Sequence, residues 1–170
     1  IIVGLSSIPL IIMYPLMKRF TYWPQLFLGI TFSWGVLIAS AQSIETISLQ
    51  AILLYIGCVF WTLGYDTIYA YQDREDDIKI DLKSTAILFG NSGKIFVILF
   101  YFLFILFIFI CKNIYVFNLS NFFVLFFILI FTLLYLNKWS LNSKLSSNNY
   151  FKKNNIFGLV IFLYLLSNNV

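Results

Sequence analysis

The 170-residue chain contains no histidine, only two cysteines and three prolines, and seven acidic residues against eleven basic ones. Without histidine, a His-based metal site, a Ser-His-Asp triad and a histidine-ligated haem are all excluded. Cys58 and Cys111 lie in separate apolar runs without metal-ligand spacing and read as two buried thiols. Charge is scarce: 11% of the residues are charged and 61% hydrophobic, with a mean hydropathy of +0.92. A soluble domain averages about 25% charged and roughly 45–50% apolar residues, so the composition predicts an integral membrane protein. The net charge of +4 comes without a basic cluster interleaved with aromatics, so no nucleic-acid partner is expected and the charge reads as topology. No methionine opens the chain. It starts IIVGLSSIPLIIMY, inside an apolar run that lacks the basic n-region and small-residue cleavage site of a signal peptide. This reads as the interior of a longer protein, cut before residue 1.

What is abundant is long apolar sequence. With about 20 residues needed to cross a bilayer, six segments stand out: Ile1–Met17, Pro24–Gln42, Leu49–Tyr71, Ile95–Cys111, Phe117–Leu136 and a short Asn155–Leu166. Backbone polar groups in lipid must be satisfied inside a helix or a closed barrel. Runs such as IFVILFYFLFILFIFI lack the alternation of barrel strands. The expectation is therefore an all-α transmembrane bundle forming one domain over residues 1–170. If the six segments alternate, ten of the eleven basic residues fall on one side and only Lys112 on the other. That bias marks a cytoplasmic face, which predicts a multi-pass protein of the inner (cytoplasmic) membrane. The Asn/Ser-rich run at 142–155 reads as a solvated linker.

Six of the seven acidic residues lie within residues 66–81: Asp66, Asp73, Glu75, Asp76, Asp77 and Asp81. On a helix advancing about 100° per residue, Asp66, Asp73 and Asp77 fall within roughly 40° of one another, with Tyr69 at the stripe's edge. Stacked carboxylates repel unless a cation sits among them. Hard oxygen donors without His or Cys suit Mg²⁺, which is usually held by one or two carboxylates together with substrate phosphates. Asp73 and Asp77, one turn apart, are the natural pair of metal ligands; Asp66 lies deeper, next to an apolar run where an ionised group is costly and usually functional. Arg74, Lys79 and Lys83 are the donors that a phosphate would want nearby. A solvated acidic loop is the bland alternative.

The string YDTIYAYQDREDDIKIDLKSTAILFG closely resembles the second aspartate motif of the UbiA family of membrane prenyltransferases, particularly the 4-hydroxybenzoate branch of ubiquinone synthesis. Asp66, Tyr69, Ala70, Asp73, Asp77 and Lys83–Ala86 carry that match. A second match is YPLMKRFTYWPQLFLG, Tyr14 to Gly29, which is similar to a signature between two helices of the same branch. The resemblance spans the chain and corresponds to the fourth through ninth helices of a nine-helix fold. The family's first aspartate motif, N-D-x-x-D-x-x-x-D, would precede residue 1, so this chain carries half of the family's metal site and is expected to be inactive by itself. Asp81 departs from the pattern, which has a small residue there.

The resemblance implies transfer of a polyprenyl group from polyprenyl diphosphate to 4-hydroxybenzoate. Asp66, Asp73 and Asp77 would be catalytic, with Mg²⁺ on Asp73 and Asp77 easing departure of the diphosphate. Arg19 and Lys18 would bind the acceptor, Lys83 the diphosphate, and Tyr69, with Tyr65, Trp61 and Trp34, is available to line a dry cavity for an allylic cation, although Trp and Tyr near helix ends usually serve as interfacial anchors. Other acceptors in the same fold (homogentisate, a naphthoate, protohaem) are the near alternative. A CDP-alcohol phosphotransferase is disfavoured by the absent D-G-x-x-A-R core. An ion transporter subunit predicts acids spread along several helices rather than at one mouth.

Overall fold

A computed structural model of the chain describes residues 1–115 and 117–167. Among these residues the structure is helical, without strands. The helices are α1 (Ile2–Leu5), α2 (Ile8–Met13), α3 (Met17–Phe20), α4 (Pro24–Ile44), α5 (Leu49–Lys79), α6 (Thr85–Phe89), α7 (Gly93–Asn113), α8 (Leu119–Asn137) and α9 (Lys144–Leu166). Five stretches are long and apolar enough to cross a membrane: Ile2–Phe20, Pro24–Ile44, Leu49–Lys79, Thr85–Asn113 and Leu119–Asn137. The protein is a multi-pass, all-α membrane bundle.

Local chemistry sets most of the boundaries. Pro24 opens α4 at a position where its missing N–H costs nothing. Ser48, Ser84, Asn118 and Ser143 each cap a helix by accepting a backbone N–H. The first segment is not one continuous helix. A 3₁₀ turn at Tyr14–Leu16, containing Pro15, interrupts it, and it runs on to Phe20 before Thr21 adopts an extended conformation.

Helix α5 is the axis of the bundle, packed against α4, α7 and α9. Glycines allow the close approaches. A Cβ on Gly64 would come within 2.9 Å of the Tyr101 ring on α7, and one on Gly29 of α4 within 2.9 Å of the Val59 carbonyl on α5. Leu63, Ile68, Phe104, Ile108, Leu136 and Trp139 are the largest of the fully buried side chains.

The Asn/Ser-rich stretch corrects the expectation of a linker. It is helical from Lys144 onward, so the short sixth segment Asn155–Leu166 is the second half of α9. Two of its polar residues, Ser147 and Asn154, face the core instead of water. Ser147 accepts from Trp139 Nε1 at 3.1 Å, and Asn154 Oδ1 accepts from Trp61 Nε1 at 2.9 Å and Tyr101 Oη at 2.8 Å. Composition alone could not show that the donors of buried Trp139 and Tyr101 and of half-buried Trp61 need acceptors, which a polar helix supplies.

Candidate active site

The long helix α5 carries the acidic stretch beyond the apolar run to Lys79, so Asp66, Asp73 and Asp77 do share one helical face. Two walls flank the stripe. On one side, Lys18 of α3 has its Nζ 4.0 Å from Asp77 Oδ1 and lies within electrostatic reach of Asp66. On the other side stands α9. Phe151 packs on the Tyr69 ring with centroids 4.9 Å apart, and Asn148 and Lys144 border a cavity of about 350 Å³ together with Asp73 and Asp76. Tyr69 itself interacts with Asp73 one turn on.

The two segments singled out in the sequence meet in space. Lys83 N–H donates to Lys18 C=O at 2.8 Å, and Thr85 N–H donates to the side chain of the buried Gln25 at 3.0 Å. Thr85 also hydrogen-bonds Thr67 of α5 through their hydroxyls at 2.8 Å. The segment after α5 is thereby pinned to the start of α4, which holds Lys18 over Asp77. Asp81 sits in this turn with a φ of 55°, a left-handed conformation that Gly, Asn and Asp tolerate best. That geometry explains both the expected small residue and the aspartate that replaces it.

The donor set fits a hard divalent cation in part. Asp77 is buried, 6% exposed, yet its Oδ2 has no hydrogen-bond partner, an unmet need that a cation would satisfy. Among the described residues no three His, Cys, Asp or Glu side chains are grouped closely enough to enclose a metal alone. Mg²⁺ does not need three, because water and substrate phosphate complete its shell.

Other sequence candidates are placed differently. Arg19 is exposed and makes no hydrogen bond or ion pair among the described residues, leaving its guanidinium available. Lys83 lies over the Tyr22 ring at 5.6 Å, with its Nζ 3.5 Å from the Phe20 carbonyl. Lys79 pairs with Asp76 at 2.8 Å, and Arg74 folds over the Tyr71 ring at 5.8 Å, away from the stripe. Trp61 and Trp34 do not line the stripe. Trp61 packs against Phe104 and Phe157, and Trp34 donates to the Val3 carbonyl at 2.9 Å, bracing α4 against α1. Both indole N–H groups are engaged in hydrogen bonds between helices.

Sequence reasoning missed the α9 wall. Lys144, Asn148 and Phe151 follow an i, i+4, i+7 spacing, a helical signal masked by the Asn/Ser composition around it. Lys144 reaches Asp76 at 3.0 Å and Glu75 at 3.5 Å; its hydrogen bond to Asp76 raises its pKa.

The basic residues gather at the same end of the bundle as the acids. Lys94 at the start of α7 donates to Asn137 C=O at the end of α8 at 3.0 Å, whereas Lys112 caps the Leu165 carbonyl at the opposite end at 2.9 Å. The charge asymmetry expected from alternating segments is thus realised in three dimensions.

Comparison with known proteins agrees with this geometry. A family model described as the UbiA prenyltransferase family matches residues 1–166. The chain is 52% identical over 95 residues to a mitochondrial 4-hydroxybenzoate polyprenyltransferase of Arabidopsis thaliana, an alignment covering 55% of this chain and 23% of that protein. It is 52% identical over 96 residues to the Drosophila melanogaster protein of the same name, covering 56% and 24%. It is 47% identical over 98 residues to a 4-hydroxybenzoate octaprenyltransferase of Pseudomonas fluorescens, covering 58% and 33%. The matched region is thus a third or less of each of these relatives. No solved structure matches the chain.

Proposed function

Because the chain belongs to the UbiA prenyltransferase family, we propose that it forms part of an enzyme transferring a polyprenyl group from polyprenyl diphosphate to 4-hydroxybenzoate, in ubiquinone synthesis. The observation that carries this reading is the docking of the Tyr14–Gly29 segment on the acidic motif, with Lys18 held 4.0 Å from Asp77. A carboxylate stripe with a cation at its edge can receive both an anionic diphosphate and an anionic acceptor.

Asp73 and Asp77 would hold Mg²⁺, whose charge neutralises the departing diphosphate. Lys18 tempers the repulsion among Asp66 and Asp77 and orients the buried carboxylate of Asp77. Arg19, exposed beside it, presents a planar fork suited to the benzoate carboxylate. Asp66, about 10 Å deeper along the helix than Asp73, lies nearest the apolar interior, where it can orient the acceptor hydroxyl or take its proton. Tyr69 and Phe151 wall the stripe with aromatic surface, which excludes water and favours a developing allylic cation by about 2 kcal/mol or more in a dry site. Lys83 reaches the mouth from the pinned turn as a diphosphate contact. The acidic end of the bundle faces the cytoplasm in this reading, following the basic bias.

The test is prenyl transfer by membranes expressing the gene product that carries this chain, supplied with Mg²⁺ and a polyprenyl diphosphate. Asp77→Asn abolishes product, and Arg19→Ala raises the KM for 4-hydroxybenzoate while leaving that for the diphosphate unchanged. Unaltered use of 4-hydroxybenzoate by the Arg19 variant, or equal use of homogentisate by the wild type, removes the benzoate assignment.

A further inference from the structure

Arg74 presents a physical anomaly. It lies inside an acidic sequence, yet among the described residues its guanidinium makes no ion pair and no hydrogen bond, and its Nε is buried without a partner. Its guanidinium lies over the face of Tyr71, 5.8 Å away, and near the Gly90 backbone, where an added Cβ would come within 3.7 Å of its terminal nitrogen. Tyr71 lies roughly 140° round α5 from the aspartate stripe, so the charge is directed to the back of the helix. Tyr71 is itself fixed there, because its hydroxyl donates to the Gly90 carbonyl and its ring meets Trp139 edge-on at 5.3 Å. A half-buried cation without a counter-charge is costly.

A cavity of about 160 Å³ lies beside it, lined by Tyr71, Arg74, Glu75, Leu141, Asn142 and Lys144. At roughly 30 Å³ per water, it has room for an oxyanion with a few waters. Glu75 is the one anion in the wall, but it is largely exposed and lies 3.5 Å from Lys144. Lys144 has three donors; Asp76 and Glu75 engage it, leaving a further N–H for a ligand. Asn142 adds an amide from the exposed α8–α9 turn. The cavity opens at the basic end of the bundle, where lipid headgroups and soluble anions are both available.

We propose that this cavity is a phosphate-binding site, separate from the aspartate stripe, in which Arg74 is the principal anchor and Lys144 and Asn142 complete the cradle. The ligand is a phosphate group, either free or in a phospholipid headgroup. It supplies the counter-charge that Arg74 lacks and ties the C-terminal end of α5 to the α8–α9 turn.

The purified gene product in detergent is titrated with inorganic phosphate, and in parallel placed in phosphatidylcholine nanodiscs with or without phosphatidylglycerol. Thermal unfolding is followed by tryptophan fluorescence. One of the two anions is expected to raise the midpoint. A response to inorganic phosphate identifies a soluble ligand, and a response to phosphatidylglycerol alone identifies a headgroup. Arg74→Gln should weaken the response about tenfold or more, and Arg74→Lys should restore part of it. Asn142→Asp covers the case in which Arg74→Gln fails to fold: it places a carboxylate in the wall, and should abolish the response while leaving the unliganded midpoint unchanged or higher. Asp73→Asn should keep the full response. Absence of any response, its persistence in both Arg74→Gln and Asn142→Asp, or its loss in Asp73→Asn would overturn the proposal.

Discussion

Along α5, the face carrying Asp66, Asp73 and Asp77 leaves the Asp77 Oδ2 atom unpartnered, whereas the face carrying Gly57, Gly64, Thr67 and Tyr71 is filled by α7, α6 and the turn before α7. At Gly57 an added Cβ would meet Phe107 at 3.1 Å, and at Gly64 it would meet Tyr101 at 2.9 Å. Thr67 is fully buried on the Thr85 hydroxyl. The difference teaches how one helix can be both scaffold and site. Along Gly57, Gly64, Thr67 and Tyr71 the back is locked by close packing and by the hydrogen bonds of Thr67 and Tyr71, so the front can keep like charges together that would otherwise drive the helix apart.

The comparison breaks most decisively at the front. Asp73→Asn or Asp77→Asn should reduce prenyl transfer by about a hundredfold or more while leaving the unfolding midpoint near that of the wild type. Transfer within threefold of wild type would show that the stripe is only a solvated face. At the back the signature reverses. Asn154→Leu leaves the Trp61 and Tyr101 donors without their acceptor and should cost about 3 kcal/mol, read as a lower midpoint and lower yield of folded protein. Gly64→Ala forces a methyl group against Tyr101 and should cost about 1–3 kcal/mol, with transfer falling only as far as folded protein falls. Trp61→Phe sharpens the boundary: it should cost about 1 kcal/mol and leave the rate per folded molecule within about twofold of wild type. A hundredfold loss there would restore Trp61 to the site. The smallest effect is expected for Lys144→Ala, since its ion pairs are solvent-exposed; the midpoint should barely move, and any shift should vanish at high salt.

Much of the front was legible before the structure. The spacing of Asp66, Asp73 and Asp77 is a property of helix periodicity, and it holds because α5 continues unbroken to Lys79. Lys18 was singled out by the Tyr14–Gly29 string. That Lys18 would pair with Asp77 was not, because the contact depends on a backbone bond from Lys83 to Lys18 across 65 residues. The back was less legible. Asn154 and Ser147 sit in a run whose composition reads as linker, and only the positions of Trp61, Tyr101 and Trp139 reveal why polar residues are needed there. Trp61 and Trp34, available in the sequence as cavity aromatics, donate instead to Asn154 and to the Val3 carbonyl.

The sequence by itself determined the solvent this protein folds in, its helical class, the charged end of its bundle and the face of α5 that carries the carboxylates. Those follow from hydrophobic run length, backbone satisfaction in lipid and the 3.6-residue period, all of which act locally. Only the tertiary structure decided which elements wall that face, where Arg74 turns its charge, and that an Asn/Ser-rich run becomes a core helix. A polar side chain's role depends on the partner it meets across the bundle, and that partner lies far away in the chain.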